Sequence, residues 1–110
     1  MNGVMNVSLS PFAIFLVGLV VGCETARADE ERASVLGAQA RTLAERGELG
    51  EAIQVAARGA AAAPHDAGAW LLLGELQTMA DRPGDATASY RTCVGQAAGA
   101  SLAACRDRAR

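Results

Sequence analysis

A repeating pattern with a period of about 34 residues limits the possible folds of this chain more than any other feature. The pattern runs from residue 33 to residue 98, and a shift by one period aligns positions that are apolar or small in both copies: Leu36 with Trp70, Ala40 with Gly74, Ala52 with Ala86, and Gly59 with Cys93. A fixed period of this length is typical of stacked supersecondary units, each of which buries its apolar face against its neighbours. The sequence therefore predicts two copies of one structural unit.

Helical patterns fill both units, and turn-forming residues separate them. Gly47 and Pro64 follow the first and second patterns as stop signals. Asp66 can cap the third helix, and Pro83 suits the first turn of the fourth. The helices are predicted at about residues 32–46, 48–63, 67–80, 85–97 and 101–110. No strand pattern follows residue 24, so we predict an all-α fold of two helical hairpins and a short C-terminal capping helix.

Two local features refine this prediction. The first helix carries four residues at near-helical spacing, which are Val35, Leu36, Gln39 and Leu43. Asp81 stands where the first unit has Gly47, at a turn that favours a left-handed backbone. Asp tolerates that conformation better than most residues.

The second unit resembles the tetratricopeptide repeat. Its Trp70-x₂-Leu73-Gly74 segment is followed by Ala86-x₃-Tyr90, which is similar to the pattern of that family. The resemblance implies one pair of antiparallel helices in each period, with small residues where the helices cross. It also implies a non-catalytic protein that binds extended or helical peptides. The sequence departs from the pattern at Gln77, where the family usually has Tyr.

In that family the first helix of each repeat lines a concave groove. The resemblance therefore implies a partner-binding groove at Arg41, Ala44, Glu45, Leu71, Leu72, Glu75, Thr78 and Met79. Trp70 to Leu73 is apolar without a break, which is wider than one buried stripe requires. Two interpretations stay open: either Leu71, Leu72 or both are exposed and dock a peptide, or Leu71 packs on a neighbouring helix and Leu72 is a lone exposed residue.

The N-terminal segment differs in composition from the rest of the chain. An apolar run from Phe12 to Gly22 precedes Cys23, and every charged side chain lies at or beyond Glu24. The run falls short of the roughly 20 residues that a membrane-spanning helix needs, and it matches a signal peptide. Two other interpretations stay open: an uncleaved N-terminal membrane anchor, and an ordinary cleaved secretory signal or buried helix.

Val20-Val21-Gly22-Cys23 resembles the lipobox of bacterial lipoproteins. The resemblance implies that Cys23 carries a covalent lipid and becomes the mature N-terminus. The expected segments are a signal peptide (1–22), a lipidated N-terminus and tether (23–32), and a helical domain (33–110). Such a protein faces the periplasm, and Glu24 after the cysteine favours the outer membrane over the inner one. The absence of Lys and Arg from residues 1–10 departs from the usual signal peptide.

Two cysteines remain after Cys23. Cys93 and Cys105 are an even number beyond an export signal, and outside the cytosol such a pair usually forms a disulfide. The bond would join the fourth helix to the capping helix. Two reduced thiols, or redox or metal chemistry, are the alternatives. A Cys-x-x-Cys spacing is absent, and His65 is the single histidine, in a turn where we expect it to be solvated.

The composition and motifs narrow the function class. A formal net charge of −2 and a pI near 5.3 argue against nucleic acid as a partner. The sequence has no nucleophile elbow, paired-histidine or phosphate-loop motif. We expect a non-enzymatic adaptor without cofactor or metal, apart from the lipid. The alternatives are an obligate structural subunit of a larger membrane-associated complex and a thiol-active protein.

Overall fold

The structure, a computed structural model, describes the backbone from Pro11 to Arg110 and the side chains from Arg27 onward. Its helices are α1 (Pro11–Glu45), α2 (Leu49–Ala62), α3 (Ala67–Met79), α4 (Pro83–Gln96) and α5 (Leu102–Arg108). This part of the chain contains no β-strand, and the all-α, repeat-like prediction is confirmed. Part of the predicted signal peptide and the side chain of Cys23 lie outside the described residues.

Helix α1 begins much earlier than its predicted start near Arg32. It is continuous from Pro11 to Glu45, so the segment expected to act as a tether (23–32) is helical. The reason is local: this stretch is rich in Ala, Arg and Glu, which favour helix, and Pro is tolerated in the first turn. None of the helices in the described residues is both long and apolar enough to cross a membrane.

The two hairpin turns repeat the same geometry one period apart. Gly47 has a φ of 81° and Asp81 a φ of 60°, so both adopt the left-handed conformation predicted for this position. The following amides close the preceding helices in the same way, with Glu48 N donating to Leu43 O at 2.9 Å and Arg82 N to Gln77 O at 2.8 Å. This closure satisfies carbonyls that the helix end leaves unpaired.

The helices stack in two rows. Each helix from α1 to α4 packs against the next one along the chain, and α3 also contacts both α1 and α5. Helices α1, α3 and α5 therefore share one side of the molecule, which we call the inner face, while α2 and α4 form the other row. The capping helix α5 takes the place that the first helix of a third repeat would occupy.

The main core is built largely from alanine. Ala40, Ala52, Ala56 and Ala60 are buried, and larger side chains enter from α2 and α3, namely Ile53, Val55, Leu73 and Leu76. Small side chains let the helices approach closely, as the repeat pattern predicts. Of the four residues singled out on α1, Leu36 and Leu43 pack against this core.

The other two residues singled out on α1 are exposed. Val35 is 66% exposed and Gln39 is also at the surface. Their equivalents on α3, one period later, are Ala69 and Leu73, which pack into the core beside α2. Helix α2 covers this face of α3, but among the described residues no helix covers the equivalent face of α1. The side chains on that face of α1 are therefore exposed to solvent.

Candidate protein-binding face

A cleft of about 460 Å³ opens on the inner face, between α3, α4 and α5. Its walls are Glu75, Thr78, Met79, Tyr90 and Arg108. The first three are groove residues implied by the repeat resemblance, so the structure brings them together. Tyr90 and Arg108 were not predicted as members of this site. Arg108 could not have been, because the repeat pattern ends before α5.

An ion pair crosses one side of this cleft. Arg108 Nη1 lies 3.2 Å from Glu75 Oε2, and both side chains are almost half exposed. The Tyr90 hydroxyl, and then the Glu75 carboxylate, raise the pKa of Arg108. Because the pair is open to water, it contributes little to stability, but it places one positive and one negative group at a surface that a partner can reach.

At the floor of the cleft, Tyr90 packs directly over a glycine. A Cβ atom placed on Gly74 would lie 2.7 Å from Cζ and 2.8 Å from Cδ1 of Tyr90, closer than packed atoms allow. The Thr78 hydroxyl donates to Gly74 O at 2.9 Å, and its oxygen lies 3.5 Å from the Tyr90 hydroxyl. The absent side chain at Gly74 thus creates the space that holds the ring against α3.

Leu71 and Leu72 do not form the exposed apolar patch considered for the groove. Both are half-buried: Leu71 packs on a cluster containing Cys93 and Cys105, and Leu72 packs on the main core. Leu72 Cδ2 lies 3.6 Å from the position of a Cβ on Gly37, so it also covers α1. Leu71 therefore packs on a neighbouring helix, as one interpretation held, but Leu72 is not a lone exposed residue. Met79, which is 61% exposed, is the apolar residue that faces solvent here.

The groove residues on α1 are farther from this cleft. Arg41 and Glu45 are exposed, and Ala44 packs against the main core. The Arg41 guanidinium turns back along its own helix, with Nη1 3.8 Å from the position of a Cβ on Gly37. Arg41 therefore lies next to Leu72 rather than across from Glu75.

The disulfide between Cys93 and Cys105 joins α4 to α5, and both residues are fully buried. Their sulfurs lie 3.7 Å and 3.9 Å from Ala67 O, at the start of α3. Trp70, Leu71 and Leu102 surround the bond. The disulfide therefore holds α5, and with it Arg108, against α4 and beside the start of α3.

Backbone hydrogen bonds join the loop before α3 to the loop before α5. Ala98 N donates to His65 O at 2.9 Å, and Ala67 N donates to Ala98 O at 3.1 Å. His65 is exposed, and its Nδ1–H donates to Gln96 O at 3.1 Å, so it ties the same loops together. These loops, with Asp29 and Glu30 of α1, line a second cleft of about 590 Å³. Within the described residues, no cluster of three His, Cys, Asp or Glu side chains is arranged to hold a metal ion.

Comparison with known proteins gives a match to a family model that covers part of the chain. No curated protein and no solved structure matches the chain. The family model described as tetratricopeptide repeat matches residues 33–76, which include the last third of α1, all of α2 and most of α3. That region contains the helical part of the first hairpin that packs in the fold and most of the first helix of the next. Together with the helical hairpins of the described residues, the match supports the resemblance of this region to the tetratricopeptide repeat and suggests a role in protein–protein interaction.

Proposed function

We propose that this protein is a non-catalytic adaptor of the bacterial envelope, anchored by a lipid on Cys23 and facing the periplasm, which binds a segment of another protein on its inner face. The observation that carries the binding proposal is the cleft beside Met79. It combines an exposed apolar side chain with the Glu75–Arg108 pair and the Tyr90 hydroxyl. An apolar anchor surrounded by polar groups is the usual arrangement of a peptide-binding surface.

The lipid anchor is supported by the sequence alone. Val20-Val21-Gly22-Cys23 follows an apolar run of signal-peptide length, and charged residues begin directly after it. Acyl chains on Cys23 would contribute about 0.8 kcal/mol for each buried CH₂ group, and several chains together give stable anchorage. Anchoring raises the local concentration of the inner face, so a modest peptide affinity suffices.

The polar outer surfaces at the two ends of the helix stack argue against an obligate structural subunit. The outer side of α1 presents Gln39, Thr42 and Arg46 to solvent, with Val35 as its one exposed large apolar side chain among the described residues. At the other edge, α5 presents Arg106 and Asp107 to solvent, and Arg110 is exposed just after the helix. Polar outer faces are typical of terminal units that end a repeat array in solution. An obligate subunit would expose a larger apolar edge.

Lipid attachment is tested with Cys23→Ser. We expect intact mass of the wild-type protein to show a diacylglycerol-modified mature form beginning at Cys23. We expect the variant to remain an unmodified precursor. Normal processing of Cys23→Ser, or an unmodified wild-type protein, would refute the anchor.

Binding on the inner face is tested with Met79→Glu in the tagged, full-length protein. The change should lower co-purification of the partner from native membranes about tenfold or more, since it replaces the apolar anchor by a charge. Val94→Glu is the matched control, because Val94 is an exposed apolar residue on α4, in the other row of helices. If both variants lowered co-purification equally, or if neither lowered it, binding on the inner face would be refuted.

A further inference from the structure

We propose that the protein stands upright on the membrane, with the loops between α2 and α3 and between α4 and α5 facing the lipid headgroups. This inference rests on the proposed lipid anchor at Cys23. We call these loops (63–66 and 97–101) the root end. The two hairpin turns (46–48 and 80–82) form the far end. The inner face then opens sideways, parallel to the membrane plane.

The root end is identified by where α1 leaves the folded helices. Near Ala33 and Leu36, α1 packs on Gly59, close to the end of α2. One to two turns earlier, Asp29 and Glu30 line the second cleft together with Ala62 at the end of α2 and loop residues 63–66, 98 and 99. The chain towards Cys23 therefore departs past the root end and away from the two hairpin turns.

Because α1 is continuous, it fixes the direction in which the chain runs from the core towards Cys23. Helix α1 is unbroken from Pro11 through Glu45, so Cys23 and the core are joined by helix rather than by a flexible linker. At about 1.5 Å per residue, the helix from Cys23 to Ala33 spans about 15 Å, and that from Cys23 to Arg46 spans about 35 Å. A helical connection of this length keeps the root end near the anchor.

The orientation also sets the height of the binding cleft. Helix α3 starts at the root end with Ala67 and ends at the far end with Met79. The rise of the helix between these two residues lifts Met79 about 18 Å above the root end. The cleft is thus held clear of the headgroups and is reachable by a partner segment that approaches along the membrane surface.

Trp70 allows a direct test, because it is the single tryptophan and lies near the root end, where its Nε1–H donates to Pro64 O at 2.9 Å. The lipid-modified full chain is placed in phosphatidylcholine vesicles that contain dansyl-labelled phosphatidylethanolamine. Energy transfer from tryptophan to the labelled lipid is then measured. The far-end reporter is Trp70→Phe with Arg46→Trp, since Arg46 is exposed at the end of α1.

We expect transfer from Trp70 to exceed transfer from the far-end reporter several-fold. Equal transfer from both positions, or stronger transfer from the far end, would overturn the upright orientation. If Trp70→Phe lowers helicity, Arg46→Trp is measured with Trp70 retained, and its contribution is the difference from wild type. Intact mass separates the two proposals: an unmodified Cys23 refutes the anchor and this inference with it, whereas a lipid-modified protein with equal transfer refutes the orientation alone.

A second variant tests the role of helix continuity. Ala28 is exposed on α1 outside the core, and Ala28→Pro breaks the helix between anchor and core. The difference between the two reporters should shrink at least twofold in this background, while the thermal midpoint stays unchanged. An undiminished difference would overturn the claim that the helix sets the orientation.

Discussion

The two helical hairpins share a backbone plan but are held together by different chemistry. In the first, α1 and α2 meet through alanines, with Ala40 and Ala56 at positions that Gly74 and Tyr90 occupy one period later. In the second, a large ring fills the space left by a glycine, and a disulfide adds a covalent link to α5. Both hairpins thus have a small residue at the helix crossing, Ala40 or Gly74, but the other position holds a methyl group in the first hairpin and a phenol ring in the second.

The two halves also differ in their polar contacts. The second half has the Asp66 cap on Gly68 N, the Trp70 bond to Pro64 O and a Ser89 hydroxyl that donates to Gln77 Oε1 at 2.6 Å. The side-chain hydrogen bond found within the first hairpin is that of Thr42 to its own helix. The second half, which carries the candidate binding cleft, is therefore the more rigidly specified one.

The largest expected effect comes from breaking the disulfide. Cys93→Ser with Cys105→Ser should lower the free energy of unfolding by about 3 kcal/mol, because the closed loop no longer restricts the unfolded chain. Urea unfolding followed by circular dichroism measures it. Native-state amide exchange should rise mainly in α4 and α5. An unchanged urea midpoint, or equal loss of protection in α1 and α2, would show that the halves do not differ as described.

The next effect tests the glycine under Tyr90. Gly74→Ala should cost about 1–3 kcal/mol of unfolding free energy, because the new methyl group forces the buried ring to move. Gly95→Ala is the matched control: a Cβ there meets no atom within 4 Å, so it should be neutral or stabilise by up to ~1 kcal/mol through helix propensity. Thermal unfolding of both variants checks the pair. If Gly74→Ala were as stable as Gly95→Ala, the close packing of Tyr90 would be wrong.

A smaller effect is expected at the helix caps. Asp66→Ala removes the side-chain acceptor of Gly68 N and should cost about 1 kcal/mol. Glu48 precedes α2 and makes no side-chain cap, so Glu48→Ala should leave the urea midpoint nearly unchanged. The same denaturation experiment compares the two variants, and a larger loss from Glu48→Ala would contradict this contrast between the halves.

The smallest effect on stability is expected from Arg108→Ala. Its ion pair with Glu75 is almost half exposed, so water and salt screen it. We expect no measurable change in the thermal midpoint but weaker partner capture, since the cleft loses its positive group. A clear drop in the midpoint would mean that the pair is structural and not available to a partner.

The sequence predicted the repeating part of the fold well because it depends on local signals. The glycine or aspartate at each left-handed turn, the Asp66 cap and the small residue at each helix crossing are set by backbone geometry. The exposure of Val35 could not be predicted in this way, because it depends on which helix lies in front of α1. The early start of α1 was missed because a change from apolar to charged residues does not by itself end a helix.

The candidate site was predicted only in part, for a similar reason. The periodic pattern points to Glu75, Thr78 and Met79 because they lie on α3, inside a repeat. Arg108 lies on α5, outside the repeat, and reaches Glu75 because α5 packs on α3 and is joined to α4 by the disulfide. The sequence left open whether Leu71 and Leu72 are exposed, and both are half-buried because α3 contacts helices on several sides and buries more than one stripe.

The central claim, that the inner face binds a protein segment, is tested most directly by site-specific photo-crosslinking in native membranes. A benzophenone amino acid replaces Met79 in one full-length variant and Val94 in another. We predict a discrete cross-linked product from position 79 that is weakened when Arg108→Ala is added, and none from position 94. Equal products from both positions, or no product from position 79, would contradict the claim.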